Sequence, residues 1–438
     1  MRLLRTKGRG SKQAEAKLIE LQRRGGAALD AVLPTVRKIL RDVSSKGDRA
    51  LLKYAEKFDG LAPKSSICVS KEETAAAWQQ IDPSLKQALE IAAGNIRAFA
   101  ERQMPQTWNF CPTNPAGAGL TTGQLVRPIE SVGCYVPGGR HPLPSTMLMT
   151  VIPAQVAGVH RIVVTSPRPA AETLATAHLL GITEFYRIGG AHAIGAFAYG
   201  TESIRRVSKI VGPGNLYVTA AKRSVAFDCA IDMLAGPTEI VVTSDHGTPQ
   251  AIASDLVAQA EHDPEALAIF ITTNERLAVA VIEEARQRSK ENAVAKEALE
   301  RKGYVFLAGS QEEAQVITNR LAPEHLTVDT EADLNWIRNA GSVFIGNHSP
   351  QPMGDYISGP NHTLPTGGMA TVRGGLSVMD FVKLITVQEY TGEGLARLGP
   401  HAIRLSEAEG LTGHAEAIRA RLAPGVGAGM QGRKRGKA

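Results

Sequence analysis

The chain has 438 residues, of which 43 % are hydrophobic and 21 % charged, so its length favours two or more cooperating domains. The composition is that of a globular protein, and no apolar run is long enough to predict a membrane-spanning helix. The N-terminal residues lack the apolar core of a secretion signal, which predicts a cytoplasmic protein.

The formal net charge of +6 is concentrated at the two ends of the chain. Residues 1–12 carry five positive charges and residues 433–438 carry four, which leaves −3 for residues 13–432. Basic residues confined to glycine-containing ends are typical of mobile, solvated tails. The charge pattern therefore predicts mobile ends and no nucleic-acid partner.

The four cysteines are Cys68, Cys111, Cys134 and Cys229. They form no CxxC pair and no zinc-ribbon spacing, so neither a disulfide framework nor a thiolate metal site is predicted. Any metal ion would need nitrogen and oxygen ligands.

The first part of the chain is predicted to be helical. Apolar residues between Val32 and Val43 recur at the three-four spacing of an amphipathic helix, and a second helix ends at Gly60.

From about residue 130 the pattern changes to short β-branched runs that alternate with helical stretches. Examples are RIVVTSP (161–167), TEIVVTSD (238–245), LAIFITTN (267–274) and GSVFIGN (341–347). Apolar strands separated by helices are typical of parallel sheets buried on both faces. The number of units predicts an α/β fold with two doubly wound, incomplete Rossmann-like parallel-sheet domains and helical N-terminal and C-terminal segments.

The predicted domain organisation has six parts. They are a basic N-terminal extension with the start of the helical segment (1–29), a helical segment that contributes to the first domain (30–130), an α/β domain with nucleotide-binding turns (131–237), an α/β domain with metal and acid/base residues (238–375), a C-terminal helical dimerisation segment (376–424) and a flexible basic tail (425–438).

Three glycine-containing segments are candidates for nucleotide binding: CYVPGGRHPLPS (134–145), IGGAHAIGA (188–196) and VGPGN (211–215). In the last two, glycines stand where a strand leads into a helix, and the backbone there can approach a phosphate. The GxGxxG fingerprint is absent. Tight turns between strands and helices also need glycine, so a purely structural role remains the alternative.

Gln259 and His262 lie three residues apart at the end of a predicted helix and project from nearly the same face. A carboxamide oxygen and an imidazole suit Zn²⁺, while a capped, solvated helix end is the alternative. Further ligands would have to come from distant loops. The candidates are Asp355, His362, Glu409 and His414, and periodicity does not choose among them.

Glu324 and His325 are adjacent, follow a proline and precede a β-branched run, which predicts a loop between a helix and a strand. A neutral imidazole can accept a hydroxyl proton near pH 7, and a partly buried carboxylate can activate water. A polar loop without a catalytic task is the alternative.

Together these segments resemble the histidinol dehydrogenase family. The segments VGCYVPGG, IDMLAGPTEIVV, DLVAQAEHDP, LAPEHL, GDYISGPNHTLPT and EAEGLTGHAEAIRARL come in that family's order and spacing. The resemblance covers about residues 30–422.

The resemblance implies a role for each of eleven residues. The zinc ligands are Gln259, His262, Asp355 and His414, and the acid/base pair is Glu324 and His325. Substrate contacts add Thr238, His325 and Glu409 to the metal ligands, and the NAD contacts are Tyr135, His192 and Asn215. His192 departs from the family pattern, in which we expect glutamine.

The resemblance also implies a reaction and an assembly. L-Histidinol would be oxidised to L-histidine through L-histidinal with reduction of two NAD⁺, and one Zn²⁺ per subunit would hold the substrate's nitrogens. The protein would be a homodimer with shared active sites, in which His414 and Glu409 complete the partner's site.

Three alternatives, two of them other activities and one another mechanism, remain possible from the sequence. The first is oxidation of another primary alcohol, such as a sulfonated diol, by a member of the same family. The second is hydrolysis with Glu324 and a metal-bound water. The third is covalent catalysis through a thiohemiacetal on Cys134 or Cys229.

Overall fold

The computed structural model describes residues 1–24, 29–112, 118–138 and 142–423. The chain divides into a larger unit, residues 1–104 and 129–381, and a smaller unit, residues 105–128 and 382–438, of which the described part ends at residue 423. The predicted basic tail, 425–438, lies outside the described residues.

The described strands are β1 (Arg2–Arg5), β2 (Trp108–Phe110), β3 (Leu120–Pro128), β4 (Ser131–Tyr135), β5 (Arg161–Thr165), β6 (Glu184–Tyr186), β7 (Lys209–Val211), β8 (Ala230–Ile231), β9 (Glu239–Thr243), β10 (Leu267–Thr272), β11 (Gly303–Leu307), β12 (His325–Val328), β13 (Ser342–Ile345) and β14 (Val382–Tyr390). The described helices are α1 (Ser11–Gln22), α2 (Leu29–Lys46), α3 (Asp48–Tyr54), α4 (Lys71–Gln80), α5 (Pro83–Arg102), α6 (Pro144–Val156), α7 (Ala171–Leu179), α8 (Gly190–Tyr199), α9 (Leu216–Val225), α10 (Pro249–Ala260), α11 (Glu275–Arg288), α12 (Ala293–Lys302), α13 (Gln311–Leu321), α14 (Gln351–Tyr356), α15 (Gly392–Ala408) and α16 (Thr412–Leu422).

The larger unit contains two parallel sheets. One has six described strands in the order β1-β11-β10-β9-β12-β13, and the other has five in the order β6-β5-β4-β7-β8. All of the neighbouring strands in these two sheets run parallel. Their central strands are buried, as the apolar runs predict. The predicted α/β fold with two doubly wound sheets is confirmed.

Helix α2 packs against α8 and α9, which belong to the same buried cluster as the five-stranded sheet. Val36, Leu40 and Val43 of α2 belong to the same buried cluster as Phe197 of α8. A Cβ atom at Gly195 would lie 3.2 Å from Leu40, so the absence of a side chain there allows the two helices to approach closely. The helical segment around residues 32–60 therefore completes the core of this layer, and it ends at Gly60 with a φ of +68°.

The N-terminal end differs from the predicted mobile tail. Strand β1 pairs in parallel with β11, with Leu3 opposite Val305, and α1 buries Leu18 and Leu21 in the core beneath the six-stranded sheet. The prediction was wrong because two leucines lie between the basic residues Arg2 and Arg5 of this segment. Leu4 enters the core while Arg2 and Arg5 remain at the surface.

The smaller unit is an antiparallel sheet in the order β14-β3-β2, accompanied by α15 and α16. The two long strands β3 and β14 pair over nine residues, from Leu120 with Tyr390 to Pro128 with Val382. A purely helical interpretation of residues 30–130 and 376–424 was therefore wrong at these strands. Among the described residues, no helix is long and apolar enough to span a membrane.

Leu18→Ala tests whether the N-terminal segment is part of the folded core. Leu18 is 2 % exposed and its neighbour Ile19 is 41 % exposed. We expect Leu18→Ala to lower the free energy of unfolding by about 2–5 kcal/mol, because the substitution leaves a cavity. Ile19→Ala, the matched control on the same helix, should change it by less than about 0.5 kcal/mol. Equal urea midpoints for the two variants would contradict the packing of α1.

Candidate active site

Glu324 and His325 lie where α13 leads into β12, as the sequence predicts. Helix α13 ends at Leu321, followed by Ala322 in the left-handed conformation with a φ of +46°. Pro323 and Glu324 follow, and His325 opens β12. Both side chains are buried, so a short connection between two packed elements holds them in the interior of the larger unit.

The Glu324 carboxylate is held by two donors. Its Oε2 accepts a hydrogen bond of 2.7 Å from the Thr238 hydroxyl and one of 2.8 Å from the backbone N–H of Glu239. Burial raises the pKa of Glu324 to about 7, against the opposing effects of His325 and of these two donors. A carboxyl group with this pKa can both release and accept a proton near neutral pH.

The His325 ring is fixed through one of its nitrogens. Nδ1 donates a 3.0 Å hydrogen bond to the backbone carbonyl of Glu239, so Nε2 carries the lone pair in the neutral ring. Nε2 is buried without a hydrogen-bond partner in the described part of the chain and lies 3.5 Å from Oδ1 of Asp355. Burial lowers the pKa of His325, but the carboxylates of Glu324 and Asp355 outweigh burial and raise it to about 9. A divalent cation on Asp355 would weaken that carboxylate's effect and favour the neutral ring.

Gln259 is the predicted ligand whose surroundings are most informative. It is 1 % exposed at the end of α10, and its Nε2 donates to the Thr238 hydroxyl. Its Oε1 is buried without a partner in the described chain. Buried carboxamide oxygens normally accept a hydrogen bond or bind a cation, so this atom needs a ligand.

His262 follows Gln259 just beyond the end of α10. Its side chain is exposed, and Nδ1 donates a 3.0 Å hydrogen bond to the carbonyl of Ala258. This bond leaves Nε2 as the nitrogen that can bind a metal ion. On the loop after α14, burial lowers the pKa of His362, while the neighbouring Asp355 acts to raise it.

Asp355 lies on α14 and has two differently used oxygens. Oδ2 accepts a 2.8 Å hydrogen bond from Gln351, while Oδ1 faces His325. The protonated Nδ1 of His362 donates a 2.8 Å hydrogen bond to the backbone carbonyl of Asp355. These residues lie beside a cavity of about 330 Å³ lined in part by His325, Asp355, His362 and Phe344, a volume suited to a small substrate.

The structure brings Thr238, Gln259, Glu324, His325 and Asp355 into one connected cluster in the larger unit. In this cluster the carboxamide oxygen of Gln259 and the carboxylate of Asp355 are oxygen ligands of a kind that Zn²⁺ accepts, and the nearby His262 is an imidazole that could join them. No group of three or more His, Cys, Asp or Glu side chains that could hold a metal ion occurs within the described ranges.

The two remaining residues of the predicted metal and substrate sites, Glu409 and His414, belong to the smaller unit. His414 lies in the first turn of α16 and Glu409 directly follows α15, and both are exposed. They are therefore accessible to a partner. The larger unit alone supplies three of the four predicted metal ligands, namely Gln259, His262 and Asp355.

Tyr135, His192 and Asn215 line one cavity of about 640 Å³ in the layer of the five-stranded sheet. The Tyr135 hydroxyl accepts a 3.1 Å hydrogen bond from the N–H of Gly190 at the start of α8, and burial raises its pKa to about 12. Asn215 caps α9 through Oδ1, which accepts from the N–H groups of Tyr217 and Val218. The predicted glycine turns thus border this cavity. Residues 139–141 of the first predicted segment lie outside the described residues.

His192, which departs from the family pattern, has a buried partner. Its Nε2 lies 2.7 Å from Oδ2 of Asp59, which also accepts a hydrogen bond from the N–H of Gly189. Nε2 is therefore engaged within the protein, and only Nδ1 would be available to a nucleotide.

Cys134 and Cys229 are poorly suited to covalent catalysis. Both are buried, and burial raises the pKa of Cys134 to about 12 and that of Cys229 to about 11. Since the thiolate is the nucleophile, these thiols are unreactive at neutral pH. The geometry thus opposes a thiohemiacetal.

Comparison with known proteins gives the family. The family model described as "Histidinol dehydrogenase" matches residues 22–422. This chain belongs to the histidinol dehydrogenase family. It is 46 % identical over 419 residues to histidinol dehydrogenase of Methanothermobacter thermautotrophicus, which covers 93 % of this chain and 97 % of the relative. It is 45 % identical to that of Methanocaldococcus jannaschii, which covers 94 % and 97 %.

A solved structure gives the same result. The crystal structure of histidinol dehydrogenase from Elizabethkingia anophelis is similar to this chain with a TM-score of 0.89 and 36 % identity, and the match covers 96 % of this chain and 98 % of that one. Membership in the histidinol dehydrogenase family confirms the predicted enzyme class, an NAD-dependent oxidoreductase of amino-acid biosynthesis.

Sequence reasoning missed three residues that support the two groups of predicted site residues. Asp59 holds the turn at Gly189, Gln351 holds Asp355, and Glu239 provides backbone groups to both Glu324 and His325. Glu239 left a visible signal, because an acidic residue begins an otherwise apolar strand. Asp59 and Gln351 left none in the local pattern.

A thiol titration tests the burial of the two disfavoured nucleophiles. We expect a chromogenic disulfide reagent to modify the exposed Cys68 and Cys111 rapidly in the folded protein, and to reach Cys134 and Cys229 only after denaturation. Cys111→Ser and Cys68→Ser variants identify the fast thiols. Rapid modification of Cys134 in the native state would reopen the covalent alternative.

Proposed function

We propose that this protein oxidises L-histidinol to L-histidine in two steps through L-histidinal and reduces two NAD⁺. The observation that carries the proposal is the buried pair Glu324–His325, joined through Thr238 to Gln259 with its unsatisfied oxygen. This arrangement combines acid/base groups with a place for a cation. The predicted cytoplasmic location is part of the same proposal.

Gln259, His262 and Asp355, with His414, would hold one Zn²⁺ per subunit. When bound, the ion would supply a Lewis acid that binds and orients the substrate's nitrogen atoms. The remaining chemistry belongs to side chains of this chain. The orphaned Oε1 of Gln259 and the free Nε2 of His262 support this assignment.

His325 would act first. Its Nε2 would take the hydroxyl proton of the alcohol, while the hydride on the same carbon leaves for NAD⁺ and the carbonyl of the aldehyde forms. The bond from Nδ1 to the Glu239 carbonyl keeps the ring in the tautomer that this step needs. Such a proton transfer typically contributes about 10²–10⁴-fold to the rate.

Glu324 would act in the second step. Its carboxylate would remove a proton from water as the water oxygen attacks the aldehyde carbon. The former carbonyl oxygen would take the proton that His325 acquired in the first step, which gives the hydrated aldehyde and returns His325 to its neutral form. His325 would then accept a hydroxyl proton again, a second hydride would leave for a new NAD⁺, and the carboxylic acid would form. The pKa of Glu324, raised to about 7 by burial, suits this role near neutral pH.

Tyr135, His192 and Asn215 would contact NAD⁺ in the cavity beside the glycine turns. The N-terminal ends of α8 and α9 border it, and helix N-termini favour phosphate. A zinc hydrolase would have no use for this cavity, which disfavours that alternative. A sulfonated diol has no imidazole for Glu409 to bind, and family membership favours histidinol.

The smaller unit supports a homodimer. Its sheet exposes large apolar side chains, namely Trp108, Phe110, Leu384, Ile385 and Tyr390. Apolar groups of this number and size usually mark an interface. We propose that the C-terminal segment of each subunit supplies His414 and Glu409 to the active site of the other.

NADH yield tests the proposed reaction. Wild-type protein should form two NADH per L-histidinol. Glu324→Gln should slow the oxidation of L-histidinal by about 10²–10⁴-fold, since it removes the base that activates water. Glu331→Gln, at an exposed carboxylate of the same unit, is the matched control and should retain the wild-type rate. One NADH per substrate, or a second oxidation unaffected in Glu324→Gln, would contradict the mechanism.

Mixing two inactive variants tests the shared site. His262→Ala and His414→Ala should each be inactive alone. After the two proteins exchange subunits, each mixed dimer would contain one intact site, so activity should return to about a quarter of wild type by random pairing. No recovery after verified exchange would show that each subunit builds its site alone.

A further inference from the structure

Glu239 is a buried acidic residue to which the mechanism above gives no chemical task. It begins β9, and its side chain is 4 % exposed. A buried carboxylate requires partners. Arg24 supplies them in a bidentate pair, with Nε 2.6 Å from Oε1 and Nη2 2.7 Å from Oε2. The N–H of Gly367 also donates to Oε1 at 2.9 Å. The carboxylate of Glu239 is therefore fixed in one orientation.

Arg24 is itself fixed by the ends of two helices. Its Nη1 donates to the carbonyl of Leu21 at 2.7 Å, and its Nη2 donates to that of Leu321 at 2.6 Å. The guanidinium thus connects the end of α1, the end of α13 and the start of β9. Helix α13 leads within three residues to Glu324. A lysine has one ammonium group on a flexible stem and cannot make this set of contacts.

The backbone of Glu239 binds both catalytic side chains. Its N–H donates to Oε2 of Glu324 at 2.8 Å, and its carbonyl accepts from Nδ1 of His325 at 3.0 Å. In a strand, the side chain stands roughly perpendicular to the direction of the backbone hydrogen bonds. A fixed side chain at Glu239 therefore limits the rotation of the two peptide groups that hold the catalytic pair.

We propose that Arg24 and Glu239 are positioning residues for Glu324 and His325. The proposal rests on the proposed function, in which those two side chains move the protons. The ion pair with Arg24 fixes the side chain of Glu239, and the backbone of Glu239 orients Glu324 and His325. Because Arg24 belongs to the N-terminal segment, that segment supports the chemistry as well as the fold.

Arg24→Lys is the first test. It keeps the positive charge but leaves Oε2 of Glu239 without its partner. We expect kcat for L-histidinol oxidation to fall by about 10- to 100-fold, since small displacements of catalytic groups have effects of this size. The KM for NAD⁺ should change by less than about twofold, because neither Arg24 nor Glu239 lines the nucleotide cavity.

Arg320→Lys is the matched control. Arg320 forms a bidentate ion pair with Glu15 of α1, at 3.0 and 2.7 Å, and its hydrogen bonds reach none of the catalytic residues. The Arg320→Lys substitution should leave kcat for L-histidinol oxidation within about twofold of the wild-type value. Thermal unfolding of both variants measures any loss of folded protein. Glu239→Gln, which keeps the size of the side chain, should reproduce the fall in kcat.

A double variant separates positioning from general weakening of the fold. In Glu324→Gln protein, Arg24→Lys should have less effect on oxidation of L-histidinal than it has in wild type, because one of the two groups that it positions is already removed. Equal kcat for Arg24→Lys and Arg320→Lys, or full additivity with Glu324→Gln, would overturn the proposal.

A measurement that does not depend on enzyme turnover distinguishes failure of the positioning proposal from failure of the proposed function. If wild-type protein forms no NADH from L-histidinol, the proposed function fails. The Nδ1–H resonance of His325 in ¹⁵N-histidine-labelled protein, assigned with His325→Asn, then tests the positioning. A changed resonance in Arg24→Lys but not in Arg320→Lys supports it, and an unchanged one overturns it.

Discussion

Two hydrogen bonds to the backbone of Glu239 hold the two proposed acid/base side chains of the active site. One fixes the Glu324 carboxylate and the other fixes the His325 ring. Both groups are buried, where each needs a partner and where pKa values move far from those in water. Because strand β9 lies inside the six-stranded sheet, between β10 and β12, both side chains are hydrogen-bonded to a buried, central strand of the fold.

The proposed function divides the two tasks of a dehydrogenase between two sheets. The five-stranded sheet and its glycine turns border the cavity that contains Tyr135, His192 and Asn215. The six-stranded sheet carries Glu324 and His325, and α10 adds Gln259. In open parallel sheets, turns at the carboxyl ends of strands commonly bind ligands. The exposed Glu409 and His414 lie in the smaller unit, and in the proposed dimer they would serve the site of the partner subunit.

Much of this architecture could be predicted from local sequence. Apolar runs such as IVVT and LAIFIT predict buried parallel strands, and the position of His325 after a proline and before a strand predicts its loop. Contacts between distant segments left no such signal. Strand β14 pairs with β3 more than 250 residues earlier, and the Asp59–His192 pair joins segments 133 residues apart. A local pattern records which face of an element is apolar but not which distant residue meets it, so the antiparallel sheet and these buried pairs were not predictable.

The most direct measurement of the central claim is anomalous X-ray diffraction at the zinc edge from crystals of the zinc-loaded dimer. The account predicts one strong peak per subunit, bonded to Gln259 Oε1, His262 and Asp355, and to the partner subunit's His414. A peak bound by other residues, with Gln259 Oε1 still unpaired beside Thr238, would contradict it.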